Sequence, residues 1–104
     1  MKAALRDFGA FPEAVRDRMT FALRAAARGE KADAAKPLRG LGPGVFEIAV
    51  AHRGDAFRTV YAVQFGEDVW VVHAFQKKAK TGIGTPRREI DLVRERIGRL
   101  KEHL

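Results

Sequence analysis

The segment from His73 to Ile90, HAFQKKAKTGIGTPRREI, holds the side chains best suited to act on a charged substrate. Lys77, Lys78 and Lys80 form one cluster, and Arg87 and Arg88 follow Thr85-Pro86. Cations gathered at one connection suit a polyanion, and RNA or DNA is the obvious candidate. A helix opening at Pro86 would attract anions at its N-terminus, whereas arginines there oppose the helix dipole. A phosphate bound between them would offset that repulsion. The ordinary alternative is a solvated basic turn with no partner.

Arg58 sits mid-strand between Phe57 and Thr59. Its plain structural reading is an exposed strand residue or a cross-hairpin pair with Glu47. His73 is a candidate proton shuttle, since a near-neutral imidazole can give and take protons. A half-buried, hydrogen-bonded histidine is the commoner case. His52, His73 and His103 have no metal-ligand spacing, and cysteine is absent. Neither a metal nor another cofactor is expected. Serine is also absent, which excludes a serine nucleophile. Trp70, Tyr61, Phe57 and Phe75 could stack on bases, although core packing is the default for Trp70 and Phe57.

The elements that must position these groups follow from periodicity. Phe11 to Arg28 reads as a helix, with Phe11, Val15, Met19 and Leu23 on one stripe and Gly29 as its stop. A short basic or helical piece, Lys2 to Phe8, precedes it. Residues 30–44 read as a connector, and Gly40-Leu-Gly-Pro-Gly44 as a turn cluster rather than a phosphate loop. Three β-like runs follow: Val45–Ala51, Ala56–Gln64 and Val69–Phe75. Their short breaks predict an antiparallel meander, one face on a helix and the other partly open. Pro86 to about His103 reads as the last helix, with Thr85 as cap and Pro86 at the first helical position. Its apolar stripe is Ile90, Val93, Ile97, Leu100 and Leu104.

Size and charge agree with this outline. At 104 residues the chain is expected to be a single domain, 1–104. The net charge is +7, carried unevenly. Residues 1–72 hold 11 Lys/Arg against 9 Asp/Glu, and residues 73–104 hold 9 against 4. Such asymmetry points to a local anion site. The N-terminus lacks the apolar run of a signal peptide, and no stretch is long enough to span a membrane. With no cysteine either, a cytoplasmic address is expected.

Taken in order, Lys36-Pro-Leu-Arg-Gly-Leu41, Val45-Phe-Glu-Ile48, Phe57-Arg-Thr-Val-Tyr61, His73-Ala-Phe-Gln-Lys-Lys78 and Thr85-Pro-Arg-Arg-Glu-Ile90 resemble the phage-derived branch of the RelE/HigB toxin family. The resemblance spans about residues 11–100. It implies an α+β, RelE-like small domain: an N-terminal helix or helical hairpin on a curved antiparallel sheet of three to four strands, with a C-terminal helix. It implies a type II toxin–antitoxin toxin, a metal-independent and ribosome-dependent mRNA endoribonuclease. The 2′-hydroxyl would attack the adjacent phosphate. The implied partners are mRNA on the ribosome and a helix-turn-helix antitoxin of the Xre type, with a heterotetramer as one assembly this allows. Carried onto this chain, Arg58 and Lys78 are the catalytic cations and His73 a candidate catalytic residue. Lys77, Lys80, Arg87 and Arg88 are the RNA-binding residues. Three departures stand out. The first strand of the family is expected to be missing, leaving a bare sheet edge. Glu47 stands where a lysine is suspected of base function, and no tyrosine follows the lysine cluster, so the general base is unassigned. A catalytically silent RNA- or ribosome-binding module, or an interaction protein for a helix-turn-helix regulator, are the alternatives.

Overall fold

The computed structural model describes residues 1–78 and 85–103, with Lys78 by its backbone. The order is α1 (Lys2–Gly9), α2 (Glu13–Ala27), β1 (Ala35–Pro37), β2 (Val45–His52), β3 (Asp55–Phe65), β4 (Asp68–Lys78) and α3 (Arg87–His103). The strands form one antiparallel sheet in the order β1-β2-β3-β4. The α+β class and the flanking helices are therefore as expected.

Local chemistry accounts for most boundaries. Pro12 is the N-cap of α2, and its carbonyl accepts from Val15 and Arg16, both at 3.0 Å. At the other end Gly29 adopts φ 80, so the Gly29 amide reaches Ala26 O (3.0 Å) and the Glu30 amide reaches Ala25 O (2.9 Å). These two bonds satisfy carbonyls that the helix leaves open. The β2–β3 hairpin turns through Arg53 (φ 50) and Gly54 (φ 85), the paired left-handed conformations that match strand twist.

Two expectations are corrected. The connector 30–44 contains a strand, because β1 pairs with β2 through Ala35–Ile48, Lys36–Glu47 and Pro37–Phe46. Part of the β2 edge is thereby covered, and the proline sits on an edge strand where its missing N–H is tolerated. Also, β4 runs on to Lys78. Lys77 and Lys78 thus belong to a strand and not to the loop after it.

Each face of the sheet has its own core. On one face Val15, Met19 and Ala22 of α2 pack on Ile48, Val50, Phe57, Tyr61 and Ala74. On the other, Val93, Ile97 and Leu100 of α3 pack on Val45, Val60, Ala62 and Val72. Truncating such a core residue typically costs about 2–5 kcal/mol. Tyr61 is buried and stacked on Phe46 at 5.4 Å, so it does not offer a face to a base. Trp70 packs beside the α3 core and donates to Phe65 O at 2.9 Å.

A register shift between Val60 and Tyr61 decides what the α3 face displays. Before it, Trp70 pairs with Ala62 and Val72 joins the α3 core; beyond it His73 pairs with Val60 and Phe75 with Arg58. The bulge therefore lets both Val72 and His73 serve the α3 side. α3 covers the part of this face around Val60, Ala62 and Val72, and among the described residues a cleft lies beside Arg58.

Candidate nucleic-acid interface

Cross-strand partners share a face, so the registers assign the open patch directly. Lys36 lies opposite Glu47, Ala49 opposite Arg58, Arg58 opposite Phe75 and Ala56 opposite Lys77. A cleft of ≈ 470 Å³ opens here, lined in part by Lys36, Glu47, Ala49, Arg58 and Thr85.

Arg58 lines the cleft. Its Nη1 donates to Glu47 Oε1 at 2.9 Å and to Thr85 Oγ1 at 3.2 Å. The Thr85 hydroxyl in turn donates to Glu47 Oε2 at 2.7 Å. Side-chain exposures of 14% and 12% for Arg58 and Glu47 make this a shielded pair that still borders the cleft. The pairing anticipated as the plain structural reading of Arg58 is thus present, and it places a carboxylate and a guanidinium side by side on an open face. Among the described residues the Thr85 side chain bonds to Arg58 and Glu47 and not to the first turn of α3. Pro86 holds the cap position, its carbonyl accepting from Glu89 (3.0 Å) and Ile90 (3.2 Å).

His73 is placed differently. It is 4% exposed, and both ring nitrogens are engaged. Nδ1 lies 3.1 Å from Arg96 Nη1 and Nε2 lies 2.8 Å from Glu89 Oε1. Guanidinium can only donate, so Nδ1 accepts and Nε2 carries the proton. The ring also stacks on Phe75 at 5.2 Å, while Arg96 donates to Val72 O at 3.0 Å. The Met1 amino group donates to Val71 O at 2.9 Å. Burial, and next the charge of Arg96, lower its pKa. This cluster ties α3 to β4.

The remaining cations divide. Lys77 is half-buried and shares the Arg58 face through Ala56. Lys78 pairs with Asp55, a register position on the face of Phe57 and Gln76. Arg87 and Arg88 are exposed in the first turn of α3, close in the chain to Thr85. Lys80 lies outside the described residues. Among the described residues no three His, Asp or Glu side chains gather so as to hold a metal ion. No described helix is long and apolar enough to cross a membrane.

Sequence reasoning did not single out Lys36, Glu47 or Thr85 as site residues. Glu47 had a readable signal, since alternation on a hairpin puts it diagonal to Arg58. Lys36 stood only in a quoted motif, with no β1 to place it beside Glu47, and the Thr85 contact spans 38 residues of chain.

Among family models, one described as phage derived protein Gp49-like (DUF891) matches residues 6–98. No curated protein and no solved structure matches the chain.

Proposed function

This chain belongs to the phage-derived Gp49-like family, which is associated with toxin–antitoxin systems, and from that premise we propose that it is a type II toxin that cleaves mRNA on the ribosome. The single observation that carries this reading is the Glu47–Arg58 pair bordering an open cleft in a chain of net charge +7.

In-line attack by a ribose 2′-hydroxyl on the neighbouring phosphorus needs a proton acceptor and a cation. Glu47 takes the 2′-hydroxyl proton, as the carboxylate beside the phosphate-binding group. Arg58 turns from Glu47 towards the non-bridging oxygens and stabilises the charge that builds there. The new bond joins the 2′-oxygen to phosphorus, and the bond from phosphorus to the 5′-oxygen breaks. The departing oxygen takes a proton from water. The products are a 2′,3′-cyclic phosphate and a 5′-hydroxyl end. Lys78 takes no part in this step, because its register position is on the Phe57 face of the sheet and not on that of Arg58. Lys77, Lys80, Arg87 and Arg88 hold the RNA backbone. His73, with both nitrogens engaged, supports the β4–α3 junction rather than moving a proton. A small helix-turn-helix protein of the Xre type is the proposed antitoxin.

Inducing the chain in bacteria and mapping mRNA ends tests the reading. Growth arrest with codon-phased cuts, lost in Arg58→Ala and Glu47→Gln, is the expected result. Normal growth with retained ribosome binding would instead support a silent binding module. That second reading draws on the same pair, since Glu47 already compensates the charge of Arg58.

A further inference from the structure

Lys36 is a cation of the cleft that the chemistry above leaves unused. It sits in β1 directly opposite Glu47, and both line the same ≈ 470 Å³ cleft. A carboxylate facing a lysine across a strand pair would ordinarily be its ion-pair partner. Here Glu47 directs Oε1 to Arg58 (2.9 Å) and Oε2 to Thr85 (2.7 Å) instead. Lys36 makes no hydrogen bond or ion pair among the described residues, and it is exposed. The cleft therefore presents two cations with different roles. Arg58 is held in place by a carboxylate and a hydroxyl, whereas Lys36 stands at the β1 rim with its charge available.

We propose that Lys36 binds a second phosphate of the same strand, next to the one engaged by Arg58. The site would then take at least two successive phosphodiesters of a single-stranded RNA that enters over β1. β1 and β3 flank β2, and neighbouring strands lie about 4.8 Å apart, so the two backbones are roughly 10 Å apart. Both side chains line one cleft, and a long lysine stem can cover such a gap to reach a phosphate beside the one at Arg58. A lysine serves such a place as a point charge that needs no fixed angle, unlike the fork of Arg58. Lys36 is thus a positioning residue that sets which phosphate meets Arg58. The proposal rests on the reading of this cleft as an RNA site.

The test uses the full chain and a fluorescent 2′-O-methyl oligouridylate, which lacks the attacking hydroxyl and so reports binding without cleavage. Anisotropy titrations across a salt series compare the native chain with Lys36→Ala, Lys36→Arg and, on α1, Lys2→Ala. Lys36→Ala should weaken binding roughly threefold and reduce the slope of log K against log salt by about 0.7, the loss of one phosphate contact on a single strand. Lys36→Arg should restore both, and Lys2→Ala should change neither. Unchanged affinity and slope in Lys36→Ala overturns the proposal, as does an equal loss in Lys2→Ala. A native chain that does not bind the oligonucleotide also overturns it. Lys36-dependent binding without any mRNA cleavage in cells would overturn the nuclease reading alone.

Discussion

Arg58 Nη1 and Glu47 Oε1 lie 2.9 Å apart on a face of the sheet that α3 leaves open. The pair couples the two charges that RNA cleavage would need to separate. Glu47→Gln removes the proton acceptor and the charge that competes with a phosphate for Arg58. Cleavage should fall by about 10²–10⁴, while affinity for the 2′-O-methyl oligonucleotide should rise. Codon-phased end mapping and anisotropy read the two effects separately. A fall in both would mean that the carboxylate helps to hold RNA and would exclude the competition between carboxylate and phosphate.

Thr85 closes the ring by donating to Glu47 Oε2 at 2.7 Å. Thr85→Val keeps the shape and deletes the hydroxyl. A stability loss of about 1 kcal/mol is expected, and a slower cleavage rate with it. Thr85→Ser should recover most of both. Urea unfolding followed by Trp70 fluorescence checks the first, and timed mRNA cleavage the second. A serine variant as impaired as valine would argue that the methyl group, not the hydroxyl, matters.

The His73 ring is locked between Arg96 and Glu89. Long-range nitrogen NMR should find Nε2 protonated and Nδ1 bare in the native chain. His73→Ala leaves two charged groups without their shared partner and should cost about 1–3 kcal/mol. Activity lost in that variant should return as temperature is lowered and the fold regained. Full stability with abolished cleavage would instead assign His73 to the chemistry.

Burial raises the pKa of the Tyr61 hydroxyl. An unfolded chain ionises its phenol near pH 10. Between that value and the higher folded one, the unfolded state has released a proton that the folded state keeps. Stability is therefore full below about pH 10 and falls as pH rises through that window. Tyr61 is the only tyrosine, so ultraviolet difference absorbance reports it alone. Its titration should coincide with the loss of native Trp70 fluorescence. A tyrosinate signal at the ordinary pH in a still-folded chain would contradict the burial.

Gly44 has φ +81, and a Cβ there would come 2.6 Å from Val63 O. Its own carbonyl accepts from the Val63 amide at 2.8 Å, so the two backbones cannot easily part. Gly44→Ala should cost about 1–3 kcal/mol. Thermal unfolding measures it, and Gly42→Ala (φ +92, with open space around the added carbon) separates the cost of conformation from that of contact.

The amino-acid order by itself determined the two long helices, the two hairpins and the basic C-terminal third. Those features arise from local rules: the spacing of Val15, Met19 and Ala22, the alternation along β3, and the turn residues at Gly54 and Gly66. Each is written within a few neighbouring positions. Only the tertiary structure decided that Lys36 belongs to a fourth strand, because a three-residue edge strand has no periodicity of its own and exists through its pairing with β2. Folding also decided that Glu47, Arg58 and Thr85 share one hydrogen-bonded ring and that the bulge turns His73 towards α3. Those arrangements join residues 11 to 38 positions apart, where packing of whole elements, rather than local preference, selects which polar groups meet.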